Sequence, residues 1–279
     1  MEATTTTIHN LWARVAPAWA EHAAYADARG AEVTARLLAL TTPAPGERVL
    51  ELASGPGGMG LAAASRVAPD GEVVISDVAA EMVAIADERA AELGLANVST
   101  RVLDIDAIDE PDASFDVVLC REGLMFASDP GRALSEIRRV LRPGGRLGLA
   151  VWGARERNPW LGVVFDAVNA ELDRPVPPPG IPGPFALGNA ARLDSLLRDA
   201  GLQDVSVSEL AVPLRADSFD EWWRRTSALA GPLAAILASQ PDPVADAIRD
   251  RARAAAAAYE TAAGIEFPGT ALIASARAA

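Results

Sequence analysis

The chain of 279 residues carries 38 acidic and 25 basic side chains, a formal net charge of −13. A surface of that sign repels phosphate backbones, which sets nucleic acid aside as a partner. A single cysteine leaves no disulfide framework and fits a cytoplasmic setting, and every basic residue is arginine, so a phosphate-loop lysine, a Schiff-base lysine and a lysine base are all excluded.

Residues Met1 to Thr7 lack the charged-then-apolar pattern of a secretion signal, and no apolar run reaches the roughly 20 residues of a membrane-crossing helix. Apolar positions at Leu11, Val15, Trp19, Val33, Leu37 and Leu38 predict helix over 8–41, ended by Thr42-Pro-Ala-Pro-Gly46. From Glu47 strands and helices alternate. Strands are predicted at Arg48–Leu52, Glu72–Ser76, Val98–Leu103, Phe115–Cys120 and Arg146–Trp152. Helices are predicted at Met59–Val67, Ala79–Leu93 and Gly131–Leu141, with a turn at Pro143-Gly-Gly145. That alternation predicts a parallel sheet covered by helices on both faces. Beyond Trp152 the pattern breaks. Residues 173–184 hold six prolines and read as a loop or lid crossing. A helix follows at Ala190–Ala200, a strand at Val205–Val212, helices at Phe219–Leu237 and Pro243–Ala263, and a last strand at Gly269–Ala276.

The richest segment is Arg48-Val-Leu-Glu-Leu-Ala-Ser-Gly-Pro-Gly-Gly-Met-Gly60, a strand, a glycine-rich turn and a helix start. That order builds a nucleotide site at the carboxyl end of a strand. Glycines let a ligand approach the backbone, and the helix start offers free N–H groups. Gly55-Pro-Gly57-Gly-Met-Gly60 fits the dinucleotide pattern literally, but Ala53-Ser54 intervenes after the strand, and Glu51 would stand near a pyrophosphate. Asp77 ends the second strand, placed to accept from ribose hydroxyls or to cap the helix that follows. Asp104 and Asp106 end the third strand, and Cys120-Arg-Glu-Gly-Leu-Met-Phe126 ends the fourth, facing the same crevice.

With these motifs in order, residues 47–152 resemble a class I S-adenosylmethionine-dependent methyltransferase. They are most similar to the small-molecule branch that includes the ubiquinone/menaquinone-type C-methyltransferases. The residues that carry this are Glu51-Leu-Ala-Ser-Gly55-Pro-Gly57, Val73-Val-Ile-Ser-Asp77, Asp104 with the Pro111-Asp-Ala-Ser-Phe-Asp116 ending, and Ala133-Leu-Ser-Glu-Ile-Arg-Arg-Val-Leu-Arg-Pro-Gly-Gly145. Ala53 replaces the family's first glycine, and the Leu-Pro-Phe run common before the third motif's ending is missing. The resemblance implies an α/β Rossmann-like fold with a seven-stranded mixed sheet, order 3-2-1-4-5-7-6, the last strand antiparallel. It makes the chain one methyltransferase domain over 1–279, with a helical lid at 8–41, a cofactor-binding core at 47–152, and an acceptor-side cap and sheet completion at 153–279. It implies S-adenosyl-L-methionine as cofactor. Ala53, Ser54, Gly55 and Gly57 would follow its methionine part, with Glu51 suited to a ligand bearing sulfonium and ammonium. Asp77 would bind ribose, Val78 and Met82 would pack near adenine, Asp104 would accept from the adenine amine beside the Ile105 backbone, and Arg121 would lie beside the methionine part. Gly60 becomes a helix-packing residue. Two alternatives stand beside it: a methyltransferase-fold binder that does not methylate, such as a cyclase or subunit, and an NAD(P)-dependent oxidoreductase.

The expected partner is a small-molecule acceptor, with no membrane insertion; a homodimer is left open. An acceptor that is a hydroxyl, a cationic amine or a carbon acid needs a base. The candidates are His22, beside Glu21 and Tyr25, then His9 and Glu122; the two histidines read equally as solvated helix residues. Trp12, Trp19, Trp152, Trp160, Trp222 and Trp223 lie in segments expected around the acceptor, which suits a planar or greasy molecule such as a quinone-like or polyketide-like metabolite, or else anchors the cap. No His/Asp/Glu set has metal-ligand spacing. Arginine in place of lysine, with abundant alanine, points to a bacterial, GC-rich source.

Overall fold

The computed structural model describes residues 2–176 and 182–279, the side chains of residues 2–8 and of Pro232 aside. In chain order, α1 (Glu2–Glu21) and α2 (Ala23–Thr41) precede β1 (Arg48–Leu52), α3 (Gly58–Val67), β2 (Glu72–Asp77), α4 (Ala80–Glu92) and β3 (Val98–Val102). Then come β4 (Phe115–Arg121), α5 (Pro130–Val140), β5 (Leu141–Trp152), α6 (Pro159–Leu172), α7 (Ala190–Asp199), β6 (Gln203–Ala211) and β7 (Leu214–Ala216). The chain ends with α8 (Phe219–Leu229), α9 (Gly231–Ala238), α10 (Asp242–Ala256), β8 (Glu260–Thr261), β9 (Gly264–Phe267) and β10 (Thr270–Arg277).

The main sheet has the order β3-β2-β1-β4-β5-β10-β6. β3, β2, β1, β4 and β5 are parallel, and β10 runs antiparallel between β5 and β6. This is the expected order, with β10 as the family's last strand. The inner strands bury both faces because they are nearly unbroken apolar runs: Val49, Leu50, Val73, Val74, Ile75, Val117, Val118 and Leu119 are all fully buried. α5 shows how a helix is set against such a sheet. Asp129 accepts from the N–H groups of Gly131 and Arg132, Pro130 starts the first turn, and Ala133, Leu134, Ile137 and Val140 form one buried stripe.

The structure differs from the sequence expectation in several places. The Pro143-Gly-Gly145 turn lies inside β5: Leu141 pairs with Phe115 and Arg146 with Val117, so the residues between bulge from the ladder, Gly144 at φ +75°. The helix expected over 219–237 breaks at Ala230 (ψ 85°), just before Gly231-Pro232. A proline cannot continue the hydrogen-bond ladder but opens a new helix well. The alanine-rich helix stops at Ala256. Residues expected to extend it form β8, which pairs with β9, and β9 in turn pairs with β7 as a second, three-stranded sheet. Gly264 turns that hairpin at φ +119°, and β9 buries Ile265 and Phe267, the latter ring 4.8 Å from Trp222. Burial of these side chains overrides the helix preference of the alanines. The proline-rich crossing expected at 173–184 lies in part outside the described residues. Among the described residues no helix is long and apolar enough to cross a membrane.

Candidate active site

The strand order reverses between β1 and β4, and in open α/β sheets that is where ligands sit. The segments following β1, β2, β3 and β4 open onto one cavity, closed from the other side by α1, α2, α6, α8 and α9. The β1 loop turns through left-handed residues, Ala53 (φ +50°), Gly55 (+54°) and Gly57 (+81°). Ala53 therefore holds a conformation that costs an L side chain about 1–2 kcal/mol. Gly60 lets α3 lie close on the sheet, since a Cβ there would stand 2.7 Å from Ile75 Cγ1 and 2.5 Å from Glu51 Oε2.

Two carboxylates occupy the start of α3. Glu51 is buried and accepts from the Gly60 N–H at 2.9 Å; burial pushes its carboxyl up to about 7, opposed by the Arg121 charge. Asp27, from α2, lies against Gly58 and pairs with Arg89 of α4, which also donates to the Pro56 carbonyl at 2.5 Å. Glu51 already takes the Gly60 N–H and Asp27 covers Gly58, so the start of α3 is occupied by the chain's own side chains and the dinucleotide pattern here is not an open phosphate cradle. Neither Glu51 nor Gly57 borders the cavity; they shape the loop from behind.

Asp77 does border it. Its Oδ2 accepts from the Gly55 N–H at 2.9 Å and its Oδ1 from the Ala79 N–H at 3.0 Å, so it ties the β1 loop to the end of β2. The expected helix cap is not formed, because α4 starts only after Ala79 and has no side-chain cap. Burial raises its pKa, and those backbone donors and His9 oppose the rise. Each carboxylate oxygen keeps further acceptor capacity. Val78, Met82 and Ile105 stand with it on the wall, as do Ala53, Ser54 and Gly55. Asp104, also on the wall, accepts from the Asp106 N–H at 2.9 Å. Carboxyl oxygens of Asp77 and Asp104 around an apolar slot are placed to accept from the ribose hydroxyls and amine of an adenosine whose ring fills the slot, so the acceptor set suits S-adenosylmethionine.

Past β4 the cavity turns aromatic. Trp12, Trp19, Phe126, Trp152 and Trp160 line it. Trp12 meets Phe126 edge-on at 5.0 Å, and the Trp19 indole N–H donates to the Leu229 carbonyl at 3.0 Å. Trp222 lies behind this wall, its indole donating to the Trp160 carbonyl at 3.1 Å, and Trp223 stacks on Phe219. Those two anchor the cap. Glu122 borders the cavity at the end of β4, held at φ +60° by its N–H to the Ala150 carbonyl, 2.8 Å. Burial raises its pKa, opposed by Arg29 and then Arg121. Arg121 is also on the wall, but its guanidinium reaches across Gly30 to the Thr34 hydroxyl at 2.9 Å and so fastens α2. His9 and His22 do not border the cavity. Sequence reasoning missed Tyr25 and Arg29, which line it one helical turn apart on α2. Their i, i+4 spacing was the available signal. Among the described residues no cluster of His, Cys, Asp or Glu could hold a metal ion.

Comparison with known proteins agrees with this geometry. Residues 43–160 match a family model described as a methyltransferase domain. The nocamycin O-methyltransferase of Saccharothrix syringae is 33% identical over 207 residues, 69% of this chain and 73% of that one. The ubiquinone/menaquinone biosynthesis C-methyltransferase UbiE of Ectopseudomonas mendocina is 39% identical over 123 residues, 44% of this chain. That match spans about half the length of the UbiE enzyme, 48%. Among solved structures, the [4+2]-cyclase SpnF is similar with a TM-score of 0.54 and 26% identity, covering 88% of this chain and 79% of that one. A reversed strand order, a glycine loop backed by carboxylates rather than open to phosphate, and a relative matched over most of its length converge: the chain belongs to the class I S-adenosylmethionine-dependent methyltransferases.

Proposed function

We propose that this protein transfers the methyl group of S-adenosylmethionine to a small, flat, largely apolar acceptor, with Glu122 as the base. The observation that carries this reading is a single cavity running from Asp77 and Asp104 to Trp152 and Trp160, with Glu122 on its wall at the strand between the two halves. When bound, the cofactor supplies a methyl group on a sulfonium, open to in-line attack. Asp77 accepts from the ribose hydroxyls and Asp104 from the adenine amine. Val78, Met82 and Ile105 flank the ring, and Ala53, Ser54, Gly55 and the Arg121 backbone follow the methionine part. The tryptophan walls exclude water and align the acceptor. Glu122 takes the proton from the acceptor's O–H or acidic C–H. Its raised pKa makes it a stronger base than an exposed carboxylate. The names of the relatives, a C-methyltransferase of quinone biosynthesis and an O-methyltransferase, support an oxygenated acceptor that reacts at carbon or oxygen. The single buried Cys120 fits a reducing, cytoplasmic compartment.

Incubating the chain with methyl-labelled cofactor and a panel of phenols, quinols and enolisable ketones tests this reading. Labelled product with release of S-adenosylhomocysteine supports it. Glu122→Gln should lower kcat by about 100-fold or more, the usual worth of a general base; an unchanged kcat removes Glu122 from that role. The likeness to SpnF favours a second reading, cyclisation in the same cavity. Conversion of a polyene substrate without loss of label from the cofactor would support that reading instead.

A further inference from the structure

The acceptor half of the cavity holds a cation that the scheme above leaves unused. Arg29, on α2, lies over two indoles, its guanidinium carbon 4.7 Å from the Trp152 ring centroid and 4.3 Å from that of Trp160. Its Nε and Nη2 are buried and have no hydrogen-bond acceptor among the described residues. These two atoms form one edge of the guanidinium plane, a pair of parallel donors spaced for two oxygens of one anion. A buried, charged donor pair left without an acceptor is strongly unfavourable, so the edge is built to meet one. Glu122 feels Arg29 through space, yet its carboxylate does not reach that edge. The walls around Arg29 come from the end of β5 and the start of α6. In the sheet order β4 and β1 separate β5 from β2 and β3, whose ends carry Asp77 and Asp104. The anion that fits therefore belongs to the acceptor rather than to the adenosine half.

We propose that Arg29 determines acceptor specificity, its Nε–Nη2 edge binding a carboxylate, or the paired oxygens of an enolised dicarbonyl, on a flat apolar acceptor beside Trp152 and Trp160. This rests on the methyl-transfer reading for the content of the other half of the cavity. An anionic edge held there also sets the acceptor's orientation toward Glu122 on the neighbouring strand.

The test is calorimetric titration of the full chain, saturated with S-adenosylhomocysteine, using naphthoate and its neutral counterpart naphthalenemethanol. Wild type should bind naphthoate about tenfold tighter or more than the alcohol, the gain expected of a desolvated bidentate pair. Arg29→Gln should lose that preference and leave alcohol binding unchanged. Arg29→Lys, which keeps the charge but not the edge, should recover only part of it. Unchanged S-adenosylhomocysteine affinity in both variants shows that they are folded and that the cofactor half is intact. Equal naphthoate affinity in wild type and Arg29→Gln, or no preference over the alcohol in wild type, overturns the proposal. A fall in S-adenosylhomocysteine affinity on Arg29→Gln also overturns it, because the edge then serves the cofactor's own carboxylate. Failure of wild type to bind S-adenosylhomocysteine at all refutes instead the methyl-transfer reading beneath it.

Discussion

Ala53 stands where the family has glycine, in a left-handed conformation, and its methyl group faces Gly123. A Cβ added at Gly123 would overlap the Ala53 Cβ, with Cys120 Sγ next at 3.1 Å. Gly123→Ala should therefore destabilise the chain by about 1–3 kcal/mol, the range for overpacking. The double variant Ala53→Gly/Gly123→Ala should recover most of it, since the overlapping atom is gone; urea denaturation of the three proteins measures the coupling. Glu51 gives a second prediction. Its folded pKa is raised from 4.5 to about 7, so between those values the folded chain binds more protons than the unfolded one. Stability from this group is present at low pH and lost as pH rises through about 7. A shift of that size is worth roughly 3 kcal/mol. The melting temperature of wild type relative to Glu51→Gln should then fall between pH 5 and pH 8, and a constant difference would show that Glu51 is not held neutral. Asp77 and Asp104 were legible in the sequence because strand ends and the glycine loop fix where the crevice lies. Arg29 was not: an arginine among alanines on an amphipathic helix reads as a solvated side chain, and what distinguishes it is two tryptophans far along the chain.

At the scale of elements, the two N-terminal helices join α6, α8 and α9 in closing the cavity opposite the strand ends. α2 is fastened by Arg121 to Thr34 and by Asp27 to Arg89, which also holds the Pro56 carbonyl. The Arg89 links join α2, α4 and the β1 loop. Arg89→Ala should cost about 1–3 kcal/mol, the range for charge-assisted hydrogen bonds. Amide exchange should quicken in the first half of α2 while β1 and β4 stay protected; unchanged exchange in α2 would show that the pair is incidental. The alternating strands and helices of 47–152 were readable because each apolar run has the length and period of its element. The hairpin at 260–267 was not, because its first residues continue an alanine-rich pattern and only Gly264 and the pairing with β7 turn them into strand. The break at Ala230 had a local sign in Gly231-Pro232, a better guide to the helix end than the apolar periodicity running through it.

For the whole molecule, the central claim is that a literal dinucleotide pattern serves a phosphate-free nucleoside ligand. Asp27 and Glu51 occupy the start of α3 where a phosphate would have to sit, while Asp77 and Asp104 face the cavity as acceptors. The most direct measurement is calorimetric titration of the chain with S-adenosylhomocysteine and with NAD, in wild type and in Asp77→Asn. The prediction is saturable S-adenosylhomocysteine binding that weakens about tenfold or more on Asp77→Asn, as a charge-assisted hydrogen bond is lost, with no binding of NAD. Binding of NAD in preference to S-adenosylhomocysteine, or S-adenosylhomocysteine affinity indifferent to Asp77, would contradict it.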